Sequence, residues 1–539
     1  MSSCLRHPHD FVDLVSEAQL SARWWERVSF AAVRPIPFAE LLGVRRFSAH
    51  TLNYSTLLLE EDRGILYVGA RGAIFALNSS DIHWEASPEK QMDCLQKGKN
   101  NKTECFNHVR FLQRLNSTHL YACGTYAFHP LCDANRFTLP SHFEEGKEKC
   151  PYDPARGYTG LIVGKWHLSQ VWRGRVGCHR PWPPPQWPHG WVPSRVGSAW
   201  EGLNAEFVAS VLVQESKDSP VGDDDKIYYF FTERAGEETT SFFDKNQVAR
   251  VARVARVCKV GIDVGGKKIL QRKWTSFMKA RLVCYIPYYE VLRSICSLDG
   301  GGWPSTVFYA AFTLSASAVC RYSISSVQHA FEGPYMEYQD SARKWSRYDG
   351  AVPEPRPGSC ITDHSRRKGY NSSQDLPNSV LDFIKLHPLM FEEVKPAGGE
   401  PLLVKKSVVY SQLAVDRVRA LDGRSYDFAG SLVDGWIHKA VVVGSSIHIV
   451  EEVQVFGDQQ PVESLVISHA QDLASDSGSP GGRDPVRVGS AGAVWLKPPM
   501  SCSTGLVQDI QSGNEGCRSS SGRGESAPPL KTAGDASVP

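Results

Sequence analysis

The segment ILYVGARGAIFAL, residues 65–77, decides the fold class of this 539-residue chain. It consists of an apolar run with a tyrosine near its middle, a turn of small residues, and a second apolar run. Apolar runs of this length, bounded by glycine, are typical of buried β-strands. The segment is therefore predicted to form two neighbouring strands of one sheet.

The same pattern recurs along the chain with a nearly regular spacing. Further copies are HLYACGTYAFHPL (119–131), KIYYFFTE (226–233), VFYAAFTLSASAVCRYSI (307–324) and SYDFAGSLVDGWIHKAVVV (425–443). Tyr67 and Tyr121 are 54 residues apart and Tyr121 and Tyr229 are 108 apart, so a further copy is expected near residue 175. Repeats of roughly this length indicate the blades of an all-β propeller. Helical patterns are found only near residues 325–331 and 379–387.

Three segments lack the strand pattern. Residues 165–200 contain six Trp and six Pro. Because proline cannot donate to a central ladder, one blade is expected to be disrupted there. The tail at 471–539 is rich in Gly, Ser and Pro, and residues 1–32 show no alternation. Both ends are therefore predicted to be disordered.

Charge and hydropathy exclude some classes of partner and location. The chain has 60 Lys and Arg against 58 Asp and Glu, a net charge of +2, which argues against binding to nucleic acid. No apolar run is long enough to cross a bilayer, and the N-terminus lacks the apolar stretch of a secretory signal. The chain nevertheless contains 14 cysteines and five Asn-x-Ser/Thr triplets. These triplets, predicted N-glycosylation sites that favour an oxidising compartment, begin at Asn53, Asn78, Asn101, Asn116 and Asn371.

The first closely spaced cysteines are better suited to disulfides than to a metal. Cys94, Cys105, Cys123 and Cys132 are separated by ten, seventeen and eight residues, whereas a zinc site needs short C-x2-C spacings. A disulfide requires only that two Cα atoms approach to about 6 Å. Buried free thiols remain an alternative. The spacing does not determine the pairing, although neighbours in sequence are the simplest pairs.

No motif of an enzyme is present in the sequence. There is neither an H-E-x-x-H nor a G-x-S-x-G segment, so no catalytic residue, metal, cofactor or small-molecule substrate is predicted, and only an active site assembled from distant residues remains as an alternative. The basic stretch at 250–281 alternates with apolar residues, which predicts a charged outer face on half-buried strands. Lys405 and Lys406 are expected to be solvated unless they lie at an interface.

Several longer motifs together resemble one known family. They include GILYVGARGAIFALN, CLQKGKNNKTECFNHVRFLQRLN, CPYDPARGYTG, QRKWTSFMKARLVC, AVPEPRPGSCITD and LDFIKLHPLM. These motifs resemble the sema domain of class 4 semaphorins, most nearly the C member, over residues 33–470. The resemblance implies a seven-bladed β-propeller that acts outside the cell or at the plasma membrane. It further implies a chemorepellent ligand that guides axons and cell migration by binding plexin receptors, most of all the B subclass, as a homodimer formed through its sema domains.

The resemblance also implies roles for individual residues. Four disulfides are expected: Cys94–Cys105, Cys123–Cys132, Cys258–Cys360 and Cys284–Cys320. Phe242 and Phe243 would lie near the dimer contact, and Lys405 or Lys406 would face the plexin. Cys150 and Cys296 lie outside this framework, and their role is not predicted.

The chain also departs from the pattern of class 4 semaphorins. Members of the class continue beyond the propeller with a cysteine-rich module, an immunoglobulin-like domain and a membrane span, none of which is recognisable in residues 471–539. The last blade is therefore expected to be truncated. The alternative hypothesis is a soluble, anchorless or misfolded splice fragment that acts as a decoy or has no activity.

Overall fold

A computed structural model gives the fold of much of the chain. The residues that it describes are 35–40, 46–47, 49, 51, 53–77, 82–117, 119–135, 143–147, 149–163, 166–171, 175–179, 205–217, 219–234, 250–259, 274–284, 291–313, 316–339, 344–406, 408–419, 425–433, 435–444, 446–456, 464–467, 487–489, 493–496, 506–509 and 514–519. The segment 1–32, predicted to be disordered, lies outside these residues.

Antiparallel sheets of consecutive strands make up most of the described chain. Two short strands come first, β1 (Pro35–Ile36) and β2 (Arg46–Phe47). The first two sheets contain β3 (Thr56–Glu60), β4 (Ile65–Ala70), β5 (Ala73–Leu77) and β6 (Ile82–His83), and β7 (Val109–Arg114), β8 (Leu120–Gly124), β9 (Leu131–Asn135) and β10 (Phe143–Glu145). The third sheet contains β11 (Thr159–Val163), β12 (Trp166–Val171) and β13 (Arg175–His179).

The following sheets repeat the four-stranded arrangement. The fourth contains β14 (Glu206–Val213), β15 (Lys226–Arg234), β16 (Arg250–Cys258) and β17 (Met278–Arg281). The fifth contains β18 (Val291–Leu298), β19 (Val307–Thr313), β20 (Ala316–Ser323) and, after an insertion, β23 (Leu403–Lys406). The sixth contains β24 (Leu413–Arg419), β25 (Ser425–Val433), β26 (Trp436–Val443) and β27 (Ser446–Gln454), with β1 added in parallel to β27.

The remaining elements are short. The helices are α1 (Pro88–Gln96), α2 (Ile324–Glu332), α3 (Asp363–Arg367) and α4 (Asn378–Leu386). The insertion also contains the hairpin of β21 (Met336–Gln339) and β22 (Lys344–Arg347). A mixed sheet joins β2 to β28 (Ser464–Ile467), β29 (Arg487–Gly489) and β30 (Ala493–Leu496), and β31 (Leu506–Asp509) pairs with β32 (Asn514–Ser519).

The sheets are arranged in a ring, as in a β-propeller. Strand β3 contacts β7, β7 contacts β11, β11 contacts β14, β14 contacts β18, β18 contacts β24, β24 contacts β28, and β28 contacts β3. The first strand of each sheet therefore lies beside the first strand of the next, and each sheet is covered by its neighbours. The predicted all-β propeller is confirmed. Within the described residues, five sheets have the four antiparallel strands of a blade, so the predicted count of seven blades is not confirmed.

The repeat pattern marks one equivalent position in each of five sheets. Four of the tyrosines, Tyr67, Tyr121, Tyr229 and Tyr309, lie on the second strand of a four-stranded sheet, and Tyr426 lies on the second of the four antiparallel strands of the sixth sheet. The side chains of the first four are at most 5% exposed. A large aromatic ring at this position packs between two neighbouring sheets, which explains why it recurs with the period of the blade.

The expected disruption at 165–200 does not extend to the first part of that segment. Strand β12 pairs with β11 in register from Val163 and Trp166 outward, and β13 pairs with β12. Strands of a blade therefore continue to His179, contrary to the expectation for this part of the segment, and the disruption of the blade stays a prediction for the residues that follow. All six prolines follow His179 in the sequence, so none interrupts these strands. Residues 180–200 lie outside the described part of the chain.

The tail at 471–539 also contains strands. Strand β30 pairs in parallel with β28, and β29 pairs in parallel with β2. The prediction of disorder is wrong for these strands, because the short apolar runs within the Gly- and Ser-rich sequence suffice to extend a sheet that already exists.

The insertion in the fifth sheet covers the edge of the fourth. Helices α2 and α4 confirm the two predicted helical patterns. The backbone N–H of Lys279, on edge strand β17, donates to the carbonyl of Pro388 at 2.9 Å, and the N–H of Met390 donates to the carbonyl of Lys279 at 2.8 Å. This segment pairs with the outer strand and satisfies backbone groups that an open edge would leave unpaired.

Candidate interaction surface

The predicted glycosylation sites lie on the surface wherever they are described. Asn53, Asn101, Asn116 and Asn371 are all exposed. Asn78 lies outside the described residues. Exposure leaves these side chains accessible to a sugar chain, and their glycosylation stays a prediction.

The loop at residues 94–105 is closed by a disulfide. Helix α1 begins with Pro88, a residue suited to the first helical position, and the hydroxyl of Ser87 accepts a backbone N–H of the first turn at 3.4 Å. The last turn places Cys94 in the interior, where it is bonded to Cys105 with a Cα–Cα distance of 5.7 Å. Asn101 lies on the exposed side of the loop. The arrangement is that of a disulfide-closed loop and not of a metal site.

Three further disulfides join the same pairs that the resemblance implies. Cys123 lies directly opposite Cys132 on neighbouring strands β8 and β9. The other two bonds, Cys258–Cys360 and Cys284–Cys320, close longer loops of 102 and 36 residues. Cys258 ends strand β16 and Cys360 lies in the insertion, so this disulfide attaches the insertion to the sheet that it covers.

Among the cysteine side chains that the structure describes, two are not part of this framework. Cys150 is fully buried and Cys296 is partly buried, and both are free. Burial raises the pKa of each thiol above its usual value, most strongly at Cys150. Because the thiolate is the reactive form, the structure makes both side chains poor nucleophiles.

The two lysines expected to face a receptor occupy different environments. Both lie at the end of strand β23. The ammonium of Lys405 is 2.7 Å from a carboxylate oxygen of Glu452 on strand β27. Lys406 is exposed. The two lysines are therefore neighbours in sequence but differ in their exposure to solvent.

A buried histidine adjoins this ion pair. His438 is 6% exposed, its Nδ1 is 3.1 Å from the hydroxyl of Tyr410, and its Nε2 is 3.5 Å from Glu452. Burial and the nearby Lys405 lower the pKa of His438 to about 4, and burial raises the pKa of Tyr410. Although this Tyr–His–Glu series resembles a catalytic relay, Tyr410 is 0% exposed and stays protonated. The series is therefore suited to structural support and not to nucleophilic chemistry.

The lowered pKa of His438 predicts that the protein loses stability in mild acid. In the unfolded chain the pKa of His438 should return to about 6.5, so the unfolded state binds the proton first as the pH falls. The contribution of His438 to the free energy of unfolding is fully present above pH 6.5 and is lost as the pH falls from 6.5 to about 4. It amounts to at most about 3 kcal/mol. Thermal unfolding of the wild type and of His438→Gln should be measured across this range. Parallel pH profiles for the two proteins would contradict the assignment.

Two of the three arginines of strand β16 are buried, contrary to the expected charged outer face, and only Arg250 at its start is exposed. Arg253 is 1% exposed and donates to Glu233 at 2.9 Å. Arg256 is 7% exposed, donates to the carbonyl of Gly358 at 3.1 Å and stacks on Phe331 of helix α2. The prediction was wrong because the fifth sheet and its insertion cover the face that an isolated sheet would expose. This strand therefore offers little basic surface.

Three further observations concern the dimer contact, metal binding and membrane crossing. Phe242 and Phe243, the expected dimer contacts, lie outside the described part of the chain. Within the described part, no group of three His, Cys, Asp or Glu side chains could hold a metal ion. None of the four helices described has the length and apolar character that crossing a bilayer requires.

Sequence comparison identifies relatives of the chain. The family model of the Sema domain matches residues 292–469. Human semaphorin-4G is 54% identical over 549 residues, which cover 92% of this chain and 64% of the relative. Mouse semaphorin-4C is 47% identical, with coverages of 83% and 55%. The chain thus spans less than two thirds of these relatives, and the predicted nearness to the C member is not confirmed.

Solved structures of similar fold support the same assignment. Drosophila semaphorin 2a matches with a TM-score of 0.66 and 28% identity, covering 82% of this chain and 74% of that one. A chain of the complex of Drosophila plexin A with semaphorin 1b matches with a TM-score of 0.62 and 25% identity, covering 78% and 83%. Residues 292–469 therefore match the Sema domain, and the chain is similar to class 4 semaphorins.

Proposed function

We propose that this protein is an extracellular signalling ligand of the semaphorin type that binds a plexin receptor, with the B subclass as the favoured partner. The observation that carries the proposal is the 54% identity to human semaphorin-4G across 92% of the chain. The structural similarity to a chain of a plexin–semaphorin complex adds support for the kind of partner. The output proposed is chemorepulsion, through which the ligand guides axons and migrating cells, including neural crest cells.

The recognition unit is proposed to be a seven-bladed propeller formed by residues 33–470. The ring of contacts from β3 around to β28 supports this count, with the sheet of β11–β13 and the mixed sheet of β28 as the two additional blades. Strands β29 and β30 of that mixed sheet come from the tail beyond residue 470. In such a ring the blades are rigid and the connecting loops form the variable surface. The disulfides and the predicted sugars would protect these loops outside the cell.

The active form is proposed to be a homodimer formed through the sema domains. Phe242 and Phe243 are the proposed contact residues, by resemblance. A dimeric ligand at the plasma membrane can bring two receptors together, which a monomer cannot do. Analytical ultracentrifugation of the glycosylated protein should therefore give twice the monomer mass, and Phe243→Glu should shift the protein towards the monomer.

The second candidate function is that of a soluble decoy, or of a fragment without activity. A decoy would retain the receptor-binding surface without clustering the receptor. The signalling ligand and the decoy therefore differ in cellular response and not in receptor binding.

Binding and cellular response should be measured on the same preparation. The full chain, secreted from mammalian cells behind a heterologous signal sequence, is immobilised and titrated with the ectodomain of a B-subclass plexin, with an A-subclass plexin as the matched control. We expect saturable binding to the B subclass and collapse of growth cones that carry the receptor. Saturable binding without collapse would favour the decoy. Absence of binding by folded protein would contradict both the ligand and the decoy, and would favour a fragment without activity.

A further inference from the structure

Three consecutive cationic side chains lie on the surface of the insertion. Arg366 and Arg367 end helix α3, Lys368 follows them, and all three are exposed. A serine protease of trypsin-like specificity binds a cationic side chain in its S1 pocket and cuts the bond that follows it. Exposed segments of small and polar residues are the places where folded proteins are usually cut. Residues 363–370, named here the basic segment, meet both requirements.

Few contacts attach the basic segment to the rest of the described chain. The backbone N–H of Asp363 donates to the carbonyl of Val221 at 2.9 Å, and the guanidinium of Arg366 donates to the carbonyl of Gly222 at 3.4 Å. Ser365 is the one buried residue of the segment. A helix as short as α3 has little stability of its own, so the segment can unwind locally while the sheets stay folded. Local unwinding gives a protease the extended backbone that it needs.

Arg367 is the most accessible of the three cations. The guanidinium of Arg366 is 2.6 Å from a carboxylate oxygen of Asp363, and the ammonium of Lys368 is 3.6 Å from one of Glu354. Among the described residues, no hydrogen bond, ion pair or ring contact involves the side chain of Arg367. Exposed ion pairs are weak, so they favour a cut after Arg367 over a cut after its neighbours by a factor of about two to five.

A cut in the basic segment differs in its consequence from a cut in the other exposed basic loop. Lys97 and Lys102 are exposed within the loop that Cys94–Cys105 closes, so a cut there leaves both sides covalently joined. None of the four described disulfides joins a residue before Lys368 to a residue after it. Hydrolysis after Arg367 therefore produces two chains that no described disulfide connects.

Strand pairing would hold the two chains together. Strand β23 of the second chain pairs with β20 of the first, and β27 of the second chain pairs in parallel with β1 of the first. The segment around Pro388 and Met390 keeps its hydrogen bonds to edge strand β17. The ring of sheets thus stays closed after the cut, because the broken connection lies in the insertion and not in a blade.

From the three exposed cations and the weak attachment of the basic segment, we propose that the peptide bond between Arg367 and Lys368 is a cleavage site for extracellular serine proteases of trypsin-like specificity. Water is the co-reactant: its oxygen bonds to the carbonyl carbon of Arg367, and the C–N bond to Lys368 breaks. The products are the chains 1–367 and 368–539, with a new carboxylate on Arg367 and a new ammonium on Lys368. The inference rests on the proposed function only for the extracellular location.

The test is limited digestion of the full secreted chain with trypsin under native conditions. The wild type is compared with Asn371→Gln, which removes the predicted glycosylation site nearest to the bond, so that a sugar chain cannot decide the result. Of the bonds between described residues, the one after Arg367 should be cut first in Asn371→Gln, which mass spectrometry shows as a fragment that begins at Lys368. This fragment should separate from the rest on a denaturing gel without reductant.

Variants made in the Asn371→Gln chain identify the residues that the protease reads. The triple variant Arg366→Gln, Arg367→Gln, Lys368→Gln should slow cleavage in the basic segment about a hundredfold, because no cation is left for the S1 pocket. Its melting temperature should not change, because exposed ion pairs contribute little to stability. The matched control, Lys97→Gln with Lys102→Gln, removes exposed cations from the other loop and should leave the rate of cleavage after Arg367 unchanged.

Three results would overturn the inference. The first is a bond after Arg367 that is cut in Asn371→Gln only when the whole protein is thermally unfolded. The second is an equal rate of cleavage in the triple variant. The third is a fragment beginning at Lys368 that separates from the rest only after reduction, because the two chains would then be covalently joined. None of these results involves a plexin, so failure of receptor binding and failure of this inference are observed separately.

Discussion

Replacing Cys258 and Cys360 together by alanine is expected to lower the free energy of unfolding by about 4 to 5 kcal/mol, because the lost bond closes a loop of 102 residues. Both cysteines are buried, so the bond is shielded from solvent. It attaches the insertion to the end of strand β16, and the insertion in turn pairs with edge strand β17. Loss of the bond should therefore allow the insertion to separate from the fourth sheet, and the yield of secreted protein should fall.

The double replacement of Cys94 and Cys105 by alanine is the matched control. It also removes one disulfide and leaves no unpaired thiol, but its loop spans only 11 residues, which predicts a loss of about 3 kcal/mol. Guanidinium unfolding under non-reducing conditions and the yield of secreted protein should be measured for both variants. The explanation is contradicted if the short-loop variant is destabilised as much as the long-loop variant.

The spacing of the repeat predicted the fold better than local composition did. The distances between Tyr67, Tyr121 and Tyr229 required a copy near residue 175, and strands β12 and β13 lie there. Composition gave the opposite expectation because the Trp- and Pro-rich window extended beyond the strands, and its prolines all follow them. The repeat length of a propeller sequence is the number of residues that form one blade, whereas composition averages over strands and the loops between them.

The sequence could not predict which strand faces are covered. The arginines of β16 are three residues apart, which does not match the two-residue period of the faces of a strand. The pattern also does not show whether a neighbouring sheet lies against the polar face. Helix α1 was missed because its nine residues have only a weak apolar face. The pairing of Lys405 with Glu452 joins residues 47 apart on different sheets, and no local pattern records such a contact.

Replacing Glu233 by glutamine is expected to cost about 3 to 5 kcal/mol of stability, because it removes the carboxylate between two buried cations. Arg253 donates to Oε1 of Glu233 at 2.9 Å, and the ammonium of Lys279 lies 2.6 Å from the same oxygen. Both cationic side chains are at most 6% exposed. Burial lowers the pKa of each, and Glu233 opposes that shift by stabilising the charged forms. Without the carboxylate, two like charges would remain in the interior.

The matched control replaces all three charges by apolar side chains of similar volume, in the triple variant Glu233→Leu, Arg253→Met, Lys279→Met. Because the triple variant removes the two cations together with the carboxylate between them, it should be more stable than Glu233→Gln and close to the wild type, since replacing buried ionic groups together by apolar side chains is often neutral or stabilising. Thermal unfolding at neutral pH would rank the three proteins. If the triple variant were the least stable, the attraction among the three charges would exceed the cost of their desolvation. The charges would then stabilise the packing of β15, β16 and β17.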